Sequence, residues 1–405
     1  MLEHARATGA NLPRLLYLGN LAVDASFAGS ALLYRLLQSY PSERLCIAEA
    51  GARTSALDLR LRGVRYEDYR PMFARLLRSR FSQHYRSWLI LTAAARARQF
   101  MALVHDFQPE AVLSVTAGHS FITAASLANK IDVPYHLICH DEWAATMAPY
   151  HVLYRHHIFG QVYRMAASRL CVSPFMAQDY EDRYIARARV LYPSRAANAL
   201  EFSEPPDRLG RTDHAFVCAY AGSFTPAYTA ALRRVAQCLA SFGGRLLIFG
   251  PMDEALARSA DLYAPNVELG GLLTSDALIA TLRARADALF VPMSFSPGDR
   301  ANAQIGFPSK LTDSTAVGVP LVVYGPEYCS AVRWAQANAP VAEVITVEGD
   351  TELFGALRRL ALDPAYRLQL GKAALSAGKR YFSNEVAFDV FSAALSGVTG
   401  YRPAY

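Results

Sequence analysis

The sequence predicts an α/β protein made of two parallel-sheet domains. Short apolar and β-branched runs alternate with amphipathic stretches along the whole chain, and Gly or Pro bounds most of them. This alternation is typical of parallel sheets that are covered by helices on both faces. The chain has 405 residues, which is long for one hydrophobic core because domains average roughly 150 residues. We therefore expect at least two domains.

The composition describes an ordinary globular protein, with 52% hydrophobic and 19% charged residues. Arg, His or Gly interrupts the longest apolar runs, so no membrane-spanning helix is expected. The N-terminal residues lack a secretory apolar segment, which predicts a cytoplasmic protein. The six cysteines form no C-x-x-C pair and lie mostly in apolar runs. They are expected to be buried reduced thiols rather than disulfides or zinc ligands.

The first half of the chain contains the strands of one predicted sheet. They are 14–19, Leu45–Glu49, Ala111–Val115, Tyr135–Cys139, 169–173 and 189–192. Helices are predicted at 31–38, where Gly29-Ser30 marks the start, and at 121–130, together with a basic helical region at 70–107.

A polar stretch with two prolines, at 194–213, is the best candidate for a linker. After it, strands are predicted at 216–220, Arg245–Phe249, 267–269, 288–291 and Leu321–Tyr324, and helices at 227–239, Ser275–Arg285 and 384–397. The predicted domains are an N-terminal one at 1–200 and a C-terminal one at 201–383. Residues 384–405 form a last helix that crosses back to the first domain.

A short helix is predicted to open at Ser309, after Pro308, and to end before Gly318. Near its start lie a cation, Lys310, and a carboxylate three residues later, Asp313. A helix N-terminus carries a partial positive charge of roughly +0.5 and favours phosphate. Lysine adds charge there, and the carboxylate can accept hydrogen bonds from a sugar diol. This is the outline of a nucleotide-diphosphate site.

The positive charge of the chain is concentrated in one region. Between Arg60 and Arg98 there are ten arginines against Glu67 and Asp68. Within 70–100 the arginines alternate with apolar residues, as in surfaces that attach to anionic lipid headgroups. A helix with a solvated arginine face is the favoured alternative. No compact basic motif suggests nucleic-acid binding, which is not expected.

Several motifs occur in a definite order along the chain. In the second half they are Gly250-Pro-Met-Asp253, Asn266-Val-Glu-Leu-Gly-Gly271, Ala286-Asp-Ala-Leu-Phe-Val-Pro292, Pro308-Ser-Lys-Leu311 and Asp313…Ala316-Val-Gly-Val-Pro320. In the first half they are Pro134-Tyr-His-Leu-Ile-Cys-His-Asp-Glu-Trp143 and Arg169-Leu-Cys-Val-Ser173. In this order they resemble the motifs of the retaining family-4 glycosyltransferases, which have the GT-B fold, and the resemblance covers nearly the whole length.

The resemblance implies two Rossmann-like domains that face each other across a cleft. It implies that Lys310 contacts the donor diphosphate, that Asp313 contacts the donor ribose, and that His140 lies near the transferred sugar or the acceptor. The chain departs from the family at Ile305, where an acidic residue is usual, and at Ser223 and Tyr228, where Arg and Lys are usual.

Further candidates lie in predicted loops at strand ends, where parallel sheets bind ligands. For the donor they are Gly222, Ser223, Arg300 and Ser309, with Arg300 as a replacement for the missing arginine. For the acceptor they are Gly29, His119 and Asp141. Each has a structural alternative, such as a solvated loop residue. We expect Asp141 and Glu142 to be hydrogen-bonded or solvated, because no second acidic cluster supports a metal.

These observations predict a metal-independent glycosyltransferase that moves a sugar from a nucleotide-diphosphate sugar to an acceptor hydroxyl. Lys310 and His140 are the expected catalytic residues, and the nucleotide sugar is a co-substrate rather than a cofactor. Retention follows only from the resemblance, and the acceptor is a glycan, a lipid-linked saccharide or a small molecule. The alternatives are a non-catalytic GT-B-like protein that binds a glycan or a partner, and a GT-B epimerase of nucleotide sugars. A cytoplasmic location is expected, with attachment to the inner face of the membrane if the region 70–100 binds lipid.

Overall fold

The computed structural model describes residues 12–26, 28–51, 53–143 and 152–397. The chain divides into two compact units. The first contains Met1–Ala197 and Asn384–Tyr405, and the second contains Asn198–Ser383.

Among the described residues, the first unit contains a seven-stranded parallel sheet. Its strands are β1 (Leu15–Gly19), β2 (Leu45–Glu49), β3 (Arg65–Asp68), β4 (Ala111–Val115), β5 (Tyr135–Cys139), β6 (Ser168–Cys171) and β7 (Arg189–Val190), in the order β3-β2-β1-β4-β5-β6-β7. Every residue of β1, β2, β4 and β5 is buried. Their continuous apolar sequences suit strands covered on both faces.

Helices of the first unit cover this sheet. They are α1 (Ala28–Leu37), α2 (Ser82–Leu91), α3 (Met101–Phe107), α4 (Ser120–Ile131), α5 (Val152–Met165) and α6 (Pro174–Tyr184). The start of α6 follows from its sequence. Pro174 occupies the first turn, and the Ser173 hydroxyl accepts a hydrogen bond from Met176 N at 2.9 Å.

The second unit has, within the described chain, a six-stranded parallel sheet in the order β10-β9-β8-β11-β12-β13. The strands are β8 (Val217–Ala221), β9 (Arg245–Phe249), β10 (Val267–Gly271), β11 (Ala288–Pro292), β12 (Leu321–Tyr324) and β13 (Ala342–Ile345). The helices are α7 (Pro226–Ala240), α8 (Glu254–Ser259), α9 (Ser275–Arg285), α10 (Arg300–Ile305), α11 (Lys310–Val317), α12 (Ser330–Ala337), α13 (Thr351–Leu362) and α14 (Pro364–Phe382).

The last helix, α15 (Asn384–Leu395), belongs to the first unit. Its first residue is held by α1, because Asn384 Nδ2 donates to Arg35 O at 2.8 Å. Phe391 is fully buried and contacts Tyr40 edge to face, with ring centroids 6.3 Å apart. An aromatic contact of this kind adds roughly 0.5–1.5 kcal/mol to burial.

The structure corrects several predicted elements. The helical region expected at 70–107 is interrupted, since 3₁₀ turns at Ala74–Arg78 and Ala95–Phe100 separate α2 and α3 from what precedes them. The strand β3 was not predicted because its sequence, Arg-Tyr-Glu-Asp, is that of an exposed edge strand. The start of α1 was predicted three residues too late, so Gly29 and Ser30 lie inside the helix rather than before it.

All six cysteines are buried, as predicted. In the part of the chain that the structure describes, no helix is long and apolar enough to cross a membrane.

Candidate functional site

Two glycine loops meet at the carboxyl edge of the second unit's sheet. Gly222 follows β8 and Gly250 follows β9, and Gly222 N donates a hydrogen bond to Phe249 O at 3.1 Å. Both glycines have positive φ angles, +154° at Gly222 and +143° at Gly250. A Cβ atom on Gly250 would lie 2.2 Å from Gly222 O, which no side chain could tolerate without moving the backbone. The close approach of the two loops therefore requires glycine at position 250.

The side chain of Lys310 lies beside these loops. Lys310 is the first residue of α11, and its ammonium Nζ lies 4.3 Å from the ring centroid of Tyr228 and 5.0 Å from that of Tyr220. A Cβ atom on Gly222 would lie 3.8 Å from this Nζ. Lys310 is thus brought together with Gly222, the first of the predicted donor loops.

The ammonium of Lys310 is buried and has no hydrogen-bond partner, and no ion pair involves it within the described residues. Burial lowers the pKa of Lys310 from 10.5 to about 8, since removal from water disfavours the charged form. The two tyrosine rings offset part of this cost, because a cation over an aromatic face gains roughly 0.5–2 kcal/mol. An anion placed beside the ammonium would offset the rest.

The amino end of α7 adds positive potential at the same place. Tyr228 lies in the first turn of α7, after Pro226 and the capping residue Thr225, whose hydroxyl accepts from Tyr228 N at 3.3 Å. The positive end of this helix dipole therefore adjoins the Lys310 ammonium. Both features favour a ligand with negative charge.

The amino end of α11 itself differs from the prediction. Leu311 N donates to Pro308 O and Thr312 N donates to Ser309 O, both at 3.1 Å. These bonds use two of the backbone groups that were expected to hold a phosphate. Ser309 is half-buried and its hydroxyl does not cap the helix, and Asp313 is half-buried in the first turn. The group of this helix that lies beside the glycine loops is therefore the Lys310 ammonium, rather than the first backbone N–H groups of α11.

Two other predicted donor residues, Ser223 and Arg300, have contacts of their own. Ser223 is exposed, and its carbonyl oxygen accepts a hydrogen bond from the Tyr220 hydroxyl. Arg300 begins α10, is exposed, and lies over the Tyr328 ring with Cζ 4.6 Å from the centroid. Ile305, where the family usually has an acid, is buried at the end of α10.

In the first unit, His140 follows β5 at the carboxyl edge of the sheet. Burial lowers the pKa of His140, with Asp141 acting in the opposite direction, so the imidazole is mainly neutral. Asp141 is exposed. Glu142 is buried and its carboxylate forms an ion pair with Arg183 at 2.5 Å. Glu142 is therefore a structural residue.

His119 lies between β4 and α4 and is held by a residue that the sequence analysis missed. Asn20 Oδ1 accepts hydrogen bonds from His119 N and Ser120 N, each at 2.7 Å. Gly118 has a φ of +61°, and a Cβ there would lie 2.5 Å from Asn20 Oδ1. Asn20 directly follows β1, so the rule that polar residues at strand carboxyl ends carry function could have found it.

The His119 side chain faces a cavity of about 210 Å³. Nine of the residues that line it carry aromatic or polar groups, namely Tyr69, Arg70, Trp88, Arg96, Gln99, Phe100, His119, Ser120 and Thr123. Burial and the nearby Arg96 charge lower the pKa of His119 to about 3, so its imidazole is neutral. Gly29, another acceptor candidate, lies in α1, where a Cβ would lie 3.3 Å from a methyl group of Leu21.

A second cavity, of about 270 Å³, lies at the amino ends of β8 and β9. Its charged groups are already paired: Arg208 with Asp287 at 2.9 Å, and Arg245 and Arg285 with Glu268 at 3.3 and 2.8 Å. Each of these three arginines therefore already has a carboxylate partner, although Arg245 and Arg285 share Glu268. Among the described residues, no group of three or more His, Cys, Asp or Glu side chains is arranged to hold a metal ion.

Comparison with known proteins identifies the fold. No protein-family model matches the chain, and no curated protein matches its sequence significantly. Solved structures do resemble it along nearly its whole length. Anabaena HepE in complex with UDP covers 95% of this chain and 100% of its own, at 13% identity and a TM-score of 0.65.

Two further structures resemble the chain as closely. Sucrose-phosphate synthase from Thermosynechococcus elongatus covers 93% of this chain and 97% of its own, at 13% identity and a TM-score of 0.66. A glycosyltransferase from Rickettsia africae covers 96% and 98%, at 12% identity and a TM-score of 0.67. With its two parallel sheets, the chain therefore has the GT-B fold of these glycosyltransferases, as the sequence motifs predicted.

Proposed function

We propose that the protein is a glycosyltransferase that binds the diphosphate of a nucleotide-sugar donor at Lys310. The observation that carries the proposal is the buried ammonium, which has no anionic partner among the residues that the structure describes. A diphosphate would supply that partner, and the amino end of α7 would stabilise it further. The similarity to HepE, which was solved with UDP and with UDP-glucose, favours a uridine nucleotide.

The proposed sugar transfer requires a cation beside the departing diphosphate. When the bond between the anomeric carbon and the diphosphate oxygen breaks, the electron pair leaves with the diphosphate while the sugar gains positive charge. Lys310 would stabilise the departing oxygen through a charge-assisted hydrogen bond in a site shielded from water. The acceptor hydroxyl then bonds to the anomeric carbon and loses its proton. If the reaction retains configuration, the acceptor approaches from the face that the diphosphate leaves, and the diphosphate takes that proton.

The remaining candidates have supporting roles in this proposal. Asp313 would accept hydrogen bonds from the ribose hydroxyls, and the Gly222-Ser223 loop would allow the phosphates to approach the backbone closely. Arg300 would add charge from an exposed position. In the first unit, the neutral imidazole of His140 would hydrogen-bond a sugar hydroxyl, with Asp141 beside it.

Replacement of the lysine tests the proposal. We expect Lys310→Ala to lower turnover of UDP-glucose by about 10²–10³-fold, as for the loss of one preorganised donor. Lys379→Ala removes an exposed lysine of the same unit and is the matched control. Equal rates of donor turnover in both variants and the wild type would reject the role of Lys310.

A panel of UDP-, GDP- and dTDP-sugars separates this proposal from its alternatives. A rise in melting temperature with one nucleotide supports a donor site, and no rise with any of them supports a binding protein without catalysis. A new sugar isomer formed in the absence of acceptor would identify an epimerase.

We also propose that the transfer needs neither a metal nor an organic cofactor. Lys310 and the helix dipole would supply the positive charge that a divalent ion provides elsewhere. Turnover after dialysis against EDTA should equal that before dialysis, and recovery only on addition of Mg²⁺ or Mn²⁺ would refute this part.

The proposed location is the cytoplasmic face of an anionic membrane. Four large apolar side chains between 72 and 91 are at least half exposed, namely Met72, Phe73, Phe81 and Leu91. Exposed arginines at 75, 78 and 80 lie among them, and no acidic residue occurs between 70 and 100. Apolar insertion with electrostatic attraction is the usual basis of interfacial binding.

Flotation with phosphatidylglycerol vesicles tests this attachment. The variant R75Q/R78Q/R80Q should float less than the wild type. The control R358Q/K379Q/R380Q changes three exposed cations of the second unit and lowers the net charge equally. Equal flotation of the two triple variants would show that net charge, rather than this surface, determines binding.

A further inference from the structure

The cavity beside His119 opens at the carboxyl edge of the first unit's sheet. Tyr69 comes directly after β3, Ala50 directly after β2, and His119 a few residues after β4. Ligands of open parallel sheets bind at this edge. With a volume of about 210 Å³, the cavity holds a group the size of a sugar ring rather than a large ligand.

The lining of the cavity has an unbalanced positive charge. Of its two arginines, Arg70 forms an ion pair with Asp68 at 2.9 Å. Arg96 has no carboxylate partner among the described residues. Its guanidinium donates instead to Leu89 O and to the Thr92 hydroxyl. The cavity lining contains no Asp or Glu. A half-buried guanidinium without a counter-ion favours an anionic ligand.

The uncharged groups of the lining suit a sugar. Trp88 is 45% exposed, and its ring stacks on Tyr85 with centroids 5.6 Å apart, which holds the indole face in place. The same indole lies 6.0 Å from Arg96 Cζ. The neutral imidazole of His119 can both donate and accept a hydrogen bond, as sugar hydroxyls require. An aromatic plane, a neutral imidazole and an unbalanced arginine thus lie together.

We infer that this cavity binds a phosphorylated acceptor, with the phosphoryl group at Arg96 and a sugar ring near Trp88 and His119. The inference rests on the proposed glycosyltransferase function and names the class of its acceptor. Two sources share this chemistry: a free sugar phosphate, and a saccharide linked to a lipid by a diphosphate. Met72 lines the cavity and is 67% exposed, so the lipid of the second kind would have an apolar surface beside the site.

Quenching of Trp88 fluorescence measures binding in the cavity directly. The probes are glucose 6-phosphate for the free source, geranyl diphosphate for the lipid source, and glucose as the uncharged control. Titrations of the wild type are made with UDP at saturation, and those of Lys310→Met without UDP, so that phosphate binding at Lys310 does not contribute. Trp88→Phe identifies the part of the signal that comes from the cavity.

We expect at least one phosphorylated probe to bind ten-fold or more tightly than glucose, since a charge-assisted hydrogen bond is worth that much. Arg96→Gln should remove this preference and Arg96→Lys should restore most of it. Arg98→Gln, which removes an exposed arginine outside the cavity, should leave it unchanged. A preference for glucose 6-phosphate indicates the free source, and a preference for geranyl diphosphate indicates the lipid source.

Equal affinity for glucose and both phosphorylated probes, or an unchanged preference in Arg96→Gln, would overturn the inference. Failure of the proposed function would be seen in a different measurement. UDP would then give no Lys310-dependent rise in melting temperature, and this result does not depend on the quenching of Trp88 fluorescence by the probes.

Discussion

Replacement of Lys310 by Met should have two effects: it should stabilise the free protein, and it should abolish donor binding. Methionine keeps most of the length of the side chain and its contacts with Tyr220 and Tyr228, but removes the charge. A lysine kept only for structure would give the opposite result, since its loss would weaken the fold and leave ligand binding intact.

The expected gain follows from the pKa of Lys310, which burial lowers from 10.5 to about 8. One pKa unit corresponds to about 1.4 kcal/mol, so the protonated ammonium costs the free protein up to about 3 kcal/mol. The lost interactions with the two rings, roughly 1–2 kcal/mol together, reduce this to a net gain of about 1–2 kcal/mol. In a unit of this size each kcal/mol raises the melting temperature by roughly 2–4 °C.

The pH dependence has a definite sign. The folded pKa lies below the unfolded one, so the penalty is complete below pH 8, falls between pH 8 and 10.5, and disappears above that range. The advantage of Lys310→Met over the wild type should shrink across the same interval. Differential scanning fluorimetry from pH 7 to pH 10, with and without UDP, measures both effects.

Two outcomes would refute this reasoning. One is a Lys310→Met variant that melts below the wild type at pH 7. The other is an undiminished rise in melting temperature on addition of UDP, which would mean that the nucleotide binds without the ammonium.

Three further predictions concern the same structure. The affinity of the wild type for UDP, measured by calorimetry, should fall about ten-fold from pH 7 to pH 9, since the ammonium with a pKa of about 8 must be protonated to pair with the diphosphate; a constant affinity would contradict this. Gly250→Ala should destabilise the second unit by about 1–3 kcal/mol and weaken UDP binding, because its Cβ would meet Gly222 O, whereas Gly355→Ala in α13 has open space and should be neutral or stabilising. Equal melting temperatures of these two variants would show that the loops have room to separate. Arg183→Met should destabilise the first unit by about 3–5 kcal/mol and more than Glu142→Gln, because it removes the arginine that pairs with a buried carboxylate, while UDP-dependent shifts persist in both; a selective loss of turnover in Glu142→Gln would instead show a catalytic role.

The buried strands could be read from the sequence because a strand covered on both faces needs a continuous apolar run. Five of them, Leu45–Glu49, Ala111–Val115, Tyr135–Cys139, Arg245–Phe249 and Leu321–Tyr324, have the predicted limits. Edge strands carry no such signal. The charged strand β3 was missed for this reason, and β7 is shorter than predicted.

The candidate site was predicted less completely. The position of Lys310 at the start of a helix follows from Pro308 before it and Gly318 after it, and both marks are local. Its environment is not local, since Tyr220 and Tyr228 come from β8 and α7, far earlier in the chain. The sequence noted Tyr228 only as a departure from the family, whereas the structure places its ring against the ammonium.

The sequence by itself determined the α/β class, the parallel strands and the lysine at a helix start, because apolar periodicity and helix boundary residues act over a few neighbouring positions. Only the tertiary structure decided that this ammonium is buried with no hydrogen-bond partner in the described part of the chain, that Glu142 pairs with Arg183, and that Arg96 and Trp88 share a cavity with His119. Burial and charge balance depend on residues brought together from distant parts of the chain, and no local pattern records them.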